Sequence, residues 1–179
     1  MHRPLLAACV WVALTAATAP PRAAAADLTG TFGVGGELGS DLLGGGSGLV
    51  DSAISLKYWV SDLGFQLLTG LAAKDVAADA EAGTAARTPV TLDVALRALY
   101  NLTRTDATHL FIGAGVSLRA VFDGPGDAQA LDLLFGVEHF FNRYFAVSGH
   151  VGAHIGLGGD LDLVIGRVSA WGTAFHFYF

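Results

Sequence analysis

The residues best suited to chemistry lie on two adjoining segments, Leu131 to Phe141 and Phe145 to Ile155. Ser148, His150 and His154 fall on one face of the second segment, beside Glu138 on the first. A serine nucleophile, a histidine base and an orienting carboxylate are the parts of an acyl hydrolase. The two histidines also raise the question of a metal. On an extended strand, however, residues i and i+4 are ~13 Å apart, too far to share one ion. The glycine-rich stretches "GVGGELG" and "LLGGGSGL" lack the Lys-Ser/Thr ending of a phosphate-binding loop and do not open a helix. They read as strand and loop glycines, so no metal and no cofactor is expected.

Strands are the elements that must position these groups. From Thr91 to Leu102 the even positions carry Leu92, Val94, Leu96, Ala98, Tyr100 and Leu102, while the odd ones include Asp93, Arg97 and Asn101. Such period-two alternation makes a strand with one apolar and one polar face. The same pattern runs through Leu110 to Ala120, Leu131 to Phe141 and Phe145 to Ile155. Further strands are expected at Leu28 to Leu38, Val50 to Val60, Phe65 to Lys74 and Ile165 to Phe179, which makes eight.

Residues 1–26 read differently. His2 and Arg3 precede an apolar run from Leu5 to Ala16, and small residues from Ala23 to Ala26 precede Asp27. This is a secretory signal peptide cut near Ala25 or Ala26, which leaves a single domain over residues 27–179. Leu6-Ala7-Ala8-Cys9 spells a lipoprotein box, but most of the apolar run follows it instead of preceding it. Cleavage near Ala26 removes the chain's one cysteine, and with it any disulfide or thiolate chemistry. The formal charge is already −6 and becomes more acidic when Arg3 and Arg22 depart, so nucleic acid is excluded as a partner.

Hydrophobic residues make up 53% of the chain and charged ones 15%, against roughly 25% charged in an ordinary soluble protein. Yet no run of about 18 apolar residues follows the leader to make a membrane helix. Strands of about 10 to 12 residues match the ~9–11 that a tilted strand needs to cross a bilayer. Connections after strands two, four and six are short (Ser61 to Gly64, Thr103 to Thr108, Asn142 to Tyr144). Those after strands one, three and five are longer or richer in Gly, Ala and Asp. The expected fold is therefore all-β, an eight-stranded antiparallel up-and-down transmembrane β-barrel with both termini periplasmic. Aromatics near the short turns and the C-terminus read as an interfacial girdle: Tyr58, Trp59, Phe65, Tyr100, Phe111, Phe140, Phe141, Tyr144, Phe145, Phe175, Phe177 and Phe179. Phe32, Phe122, Phe135 and Trp171 are candidates for the opposite rim.

The chain closes on "GTAFHFYF". Gly172, Phe175, Phe177 and Phe179 resemble the C-terminal assembly signal of outer-membrane barrels, with Ala170 where a polar residue is usual. "LKYWVSDLGFQLLTG" and "FGVEHFFNRYFAVSGHVG" resemble strand-turn-strand units of the small eight-stranded OmpA-barrel and OmpX-like proteins, within the outer membrane protein β-barrel domain family. The resemblance implies a bacterial outer-membrane location, with outer-membrane lipids as surroundings and the barrel assembly machinery as a partner during biogenesis. It implies no single activity. Some such barrels are lipid A deacylases of the serine-histidine type. Those work on the lipid-facing surface with a His-x-Ser spacing, whereas parity here turns Ser148, His150 and Glu138 inward.

Inward parity also collects Glu37, Asp51, Lys57, Lys74, Asp93, Arg97, Arg119, Asp132 and Glu138. An eight-stranded barrel is just wide enough for side chains to fill, so these are expected to form a polar, salt-bridged lumen and a protein that is not an enzyme. A narrow pore through the inward glycines, a lumen hydrolase and a soluble lipocalin-like ligand-binding barrel are the alternatives. Loops around Leu42 to Gly48 and Val76 to Ala86 would carry contacts to any surface partner.

Overall fold

The alternation becomes nine strands in the computed structural model, which describes residues 28–40, 50–73, 86–105, 107–123, 128–157, 163–165 and 171–179. The expected leader, the lipoprotein box, Lys74, Ala170 and most of the two long loops fall outside the described residues, as do the side chains of Asp51 and Trp171. The strands are β1 (Phe32–Ser40), β2 (Val50–Val60), β3 (Leu63–Ala73), β4 (Val90–Arg104), β5 (Thr108–Phe122), β6 (Ala128–Asn142), β7 (Phe145–Leu157), β8 (Leu163–Ile165) and β9 (Trp171–Tyr178). Every pairing is antiparallel, and the sheet closes because β9 bonds both β1 and β7 while β7 also bonds β6. β8 and β9 both lie along β7, so they are two pieces of the eighth stave. Closure pairs each of β1 to β7 and β9 on both sides, while β8 pairs with β7 alone among the described residues.

The eighth strand is not the continuous run expected from Ile165. Between Ala153 and Val151 β7 moves two residues, while its partner moves six, from Ile165 to Trp171. The first strand also starts later than Leu28. Gly30, at φ 78°, lets the chain turn. Its N–H donates to Trp59 O at 2.8 Å, and Thr31 N–H donates to Leu28 O at 2.9 Å. Leu28 is thereby folded under the barrel mouth, not spread along its wall. β4, β5 and β6 have 15 residues each, longer than their alternation suggested. Bulges at Asn101/Thr103 and Phe140/Asn142 add a residue to β4 and to β6 near the turns.

The short connections have local causes. Ser61 takes a left-handed φ of 56° between β2 and β3. The Thr105 hydroxyl accepts from Thr108 N–H at 3.0 Å in the next turn. Asn142 Oδ1 accepts from Tyr144 N–H at 2.8 Å in the third, an Asx-turn. Opposite this turn end the connections span residues 41–49, 74–89, 123–127 and 158–162, so two are long and two are short.

Polarity is inside out. Ile54, Leu96, Ile112, Val116, Leu133 and Phe135 stand exposed on the outer wall, while Lys57, Glu138, His176 and Ser55 are fully buried in the lumen. An apolar patch of this extent is sustained by contact with hydrocarbon, not with water. That placement excludes the lipocalin-like alternative, which needs the apolar face turned inward. The girdle is also sorted by face. Tyr58, Phe65, Tyr100, Phe141, Tyr144, Phe175, Phe177 and Phe179 point outward, but Trp59, Phe111 and Phe140 are buried inside. Their height was legible, yet their parity places them in the lumen. Phe32 belongs to the turn end as well, not the opposite rim: its N–H and C=O bond Phe179.

Candidate functional site

Alternation turns one residue in two toward the axis, and the ring of eight staves decides which of them meet. Lys57 on β2 reaches across to Glu138 on β6, Nζ to Oε1 at 2.9 Å. The same oxygen accepts from the Tyr178 hydroxyl at 2.8 Å. Arg97 on β4 spans to Glu37 on β1, Nη1 lying 2.9 and 3.2 Å from its two oxygens. Arg119 and Asp93 are register neighbours on β5 and β4, and the guanidinium forks onto the carboxylate at 2.8 and 3.0 Å. Asp132 and His154 also face each other in register, Oδ1 to Nδ1 at 2.7 Å. All seven charged residues expected in the lumen network, Glu37, Lys57, Asp93, Arg97, Arg119, Asp132 and Glu138, thus point inward, each beside an oppositely charged group or an imidazole. Two ties cross the lumen and two run within the wall.

The hydrolase parts do not assemble as a relay. His150 turns to Glu37, Nε2 to Oε1 at 3.6 Å, His154 takes Asp132, and Glu138 is held by Lys57 and Tyr178. A different serine meets a different histidine. Ser55 on β2 lies 2.7 Å from His176 Nε2 on β9, and His176 Nδ1 is 3.7 Å from Glu138 Oε1. Three strands far apart in sequence supply this Ser-His-Glu group, so no spacing announces it. Inward parity on β2 and β9 is the one signal that could have. Gln66 Nε2 donates to Ser55 Oγ at 2.9 Å and to Glu37 Oε2 at 3.2 Å, joining the two cross-lumen ties into one network. Ser55 is fully buried, and this group forms a hydrogen-bonded cross-link between staves. Among the described residues no three His, Cys, Asp or Glu side chains are placed to hold a metal ion.

Toward the turn end the lumen becomes apolar. Leu28, Trp59, Leu99, Phe111, Leu134, Phe140, Ala146 and Tyr178 form one buried cluster. Trp59 Nε1–H donates to the Tyr178 hydroxyl at 3.5 Å, and Phe140 and Tyr178 rings sit 5.5 Å apart. Inward glycines make room for these side chains. A β-carbon at Gly64 would lie 2.7 Å from the Trp59 ring, one at Gly136 2.4 Å from Phe111 and one at Gly115 2.8 Å from Arg97 Cγ. Beside Gly136 and Gly115 the space that suggested a pore is taken by the Phe111 ring and the Arg97 side chain.

On the outer face of the last strand Phe175, Phe177 and Phe179 are exposed, and Phe177 stacks on Phe145 at 5.1 Å. Gly172 faces the lumen, where a β-carbon would be 2.5 Å from His150. The final residue is not frayed: Phe179 N–H donates to Phe32 O at 2.9 Å, beside the closing seam.

Among solved structures, the chain is similar to the N-terminal β-barrel domain of OprF from Pseudomonas aeruginosa. The TM-score is 0.57 at 14% identity, over 84% of this chain and 98% of that one. The chain has the fold of a small outer-membrane β-barrel. A further similarity is to the outer membrane protein OprG from the same organism, with a TM-score of 0.48 at 18% identity over 89% of this chain and 99% of that one. No protein-family model matches the sequence, and no curated protein does. Within the outer-membrane barrel fold, the lumen's ion pairs and apolar layer belong to this chain's own side chains.

Proposed function

We propose that this protein is an integral barrel of the bacterial outer membrane with a structural or surface-interaction role, its lumen held shut by its own side chains. Its turn end would face the periplasm and its long connections the exterior, where an unidentified surface partner would be met. Outer-membrane lipids surround it, and Gly172, Phe175, Phe177 and Phe179 would present the closing strand to the barrel assembly machinery. It needs no cofactor in this reading and is not an enzyme. The observation that carries the proposal is the stack of two obstructions. The Lys57–Glu138–Tyr178 tie crosses the lumen, and the Trp59–Phe111–Phe140 layer fills it toward the turn end. An ion crossing would have to displace a desolvated ion pair and then pass a dry apolar layer.

Single-barrel recordings in planar bilayers test this. The wild-type protein should show no steady ohmic current, whereas Lys57→Ala combined with Trp59→Ala should conduct. A steady current through the wild-type barrel would overturn the closed-lumen reading in favour of a narrow pore.

A further inference from the structure

The outer wall is not evenly filled. Register sets Tyr100, Ile112 and Phe135 in one row across β4, β5 and β6, and Ala98, Ala114 and Leu133 in the next row toward the loop end. Side-chain bulk drops abruptly where Ala98 and Ala114 stand side by side. Tyr100 and Ile112 rise on one flank of that spot, and Leu133 and Phe135 on another. The result is an apolar concavity of about 740 Å³ opening outward from the barrel wall.

We propose that this concavity binds one acyl chain of a membrane phospholipid more tightly than the surrounding bilayer holds its bulk lipid. The inference rests on the wall facing lipid. Lipid tails are as apolar as leucine, so hydrophobicity alone gives no preference for any part of the wall. Packing does: a chain in a hollow gains dispersion contacts from the floor and both flanks, where a chain on a convex wall gains them from one side. The side chains facing outward into the hollow are hydrocarbon apart from the Tyr100 hydroxyl, so a headgroup or a peptide would find almost no hydrogen-bonding partner there. Tyr100 lies toward the turn end of β4, and tyrosine favours the membrane–water interface. That places the headgroup end of the lipid at the turn side. A second copy of the chain fits less well, because twelve residues line the hollow where a stable protein interface uses ~20–30 a side.

The test is native mass spectrometry of barrels first folded into vesicles of palmitoyl-oleoyl phosphatidylethanolamine and then extracted into mild detergent. Insertion is verified beforehand by a boiling-dependent gel shift. Wild-type protein should retain one phospholipid. Ala114→Phe, which fills the hollow, should lower retention about tenfold, the equivalent of roughly two methylenes' worth of contact. Thr173→Phe, on β9 and also outward-facing, should leave retention unchanged. Ala114→Leu is the milder filling variant should the phenylalanine fail to insert. Equal retention in all inserted variants would overturn the site alone, and so would a wild-type dimer that Ala114→Phe dissociates. Failure of the wild type to insert would overturn the membrane reading and the site together.

Discussion

Replacing Lys57 by methionine keeps an unbranched side chain, one heavy atom shorter, and removes its charge, which isolates the cross-lumen tie. Lys57 is 1% exposed and Glu138 fully buried, so neither charge is compensated by water. Breaking a buried pair by removing one partner costs ~3–5 kcal/mol, because the other charge is left unpaired. Here Glu138 Oε1 keeps the Tyr178 hydroxyl at 2.8 Å, which places the expected loss near the lower bound, about 3 kcal/mol. Removing both charges tells a different story. Lys57→Met with Glu138→Gln leaves no orphaned ion, and such replacements are often close to neutral. The double variant should therefore recover most of the loss, a coupling of about 2 kcal/mol or more, at the upper part of the usual range for neighbouring residues. Reversible urea unfolding from lipid vesicles provides the assay. Trp59, whose ring centroid is 6.0 Å from Lys57 Nζ, supplies a local fluorescence signal. A single variant costing under about 1 kcal/mol, as an exposed pair would, or a double variant as unstable as the single one, would refute the reasoning.

Three further outcomes follow from the packing. Gly136→Ala puts a β-carbon 2.4 Å from the Phe111 ring, so the apolar layer must shift; an overpacking loss of ~1–3 kcal/mol should appear as a lower urea midpoint. Leu28→Ala empties the stopper under the barrel mouth and should cost about 2 kcal/mol or more, again read from the urea midpoint; no change would mean that the N-terminal turn does not pack in the membrane-embedded protein. Phe179→Ser should leave secretion intact but reduce folded barrel in the membrane fraction, measured by the boiling-dependent gel shift. Normal levels of folded barrel would argue against the assembly-signal reading.

How far the site could be read in advance depended on whether a feature was local. Strand alternation repeats every two residues, so the inward facing of Glu37, Lys57, Asp93, Arg97, Arg119, Asp132 and Glu138 was legible without any knowledge of the fold. Partner choice was not, because Lys57 and Glu138 are 81 positions apart and meet only when the sheet closes. The acyl-hydrolase parts show the same limit. Ser148, His150 and Glu138 looked adjacent along the chain and its hairpin, but closure turns His150 toward Glu37 and brings Ser55 to His176.

The sequence by itself determined that this chain is a set of two-faced strands, apolar on one side and charged on the other, long enough to cross a bilayer and joined by alternating short and long connections. Those properties are written in the order of neighbouring residues. Tertiary structure alone decided that Trp59, Phe111 and Phe140, turned inward by their parity, meet as one layer, that Leu28 folds back beneath them, and that the eighth stave comes in two pieces. Each depends on the register and closure of the ring, which set the height and angle at which inward side chains meet across the lumen. No local pattern encodes that, because in a narrow barrel the neighbours that fill the space around a side chain come from the far wall.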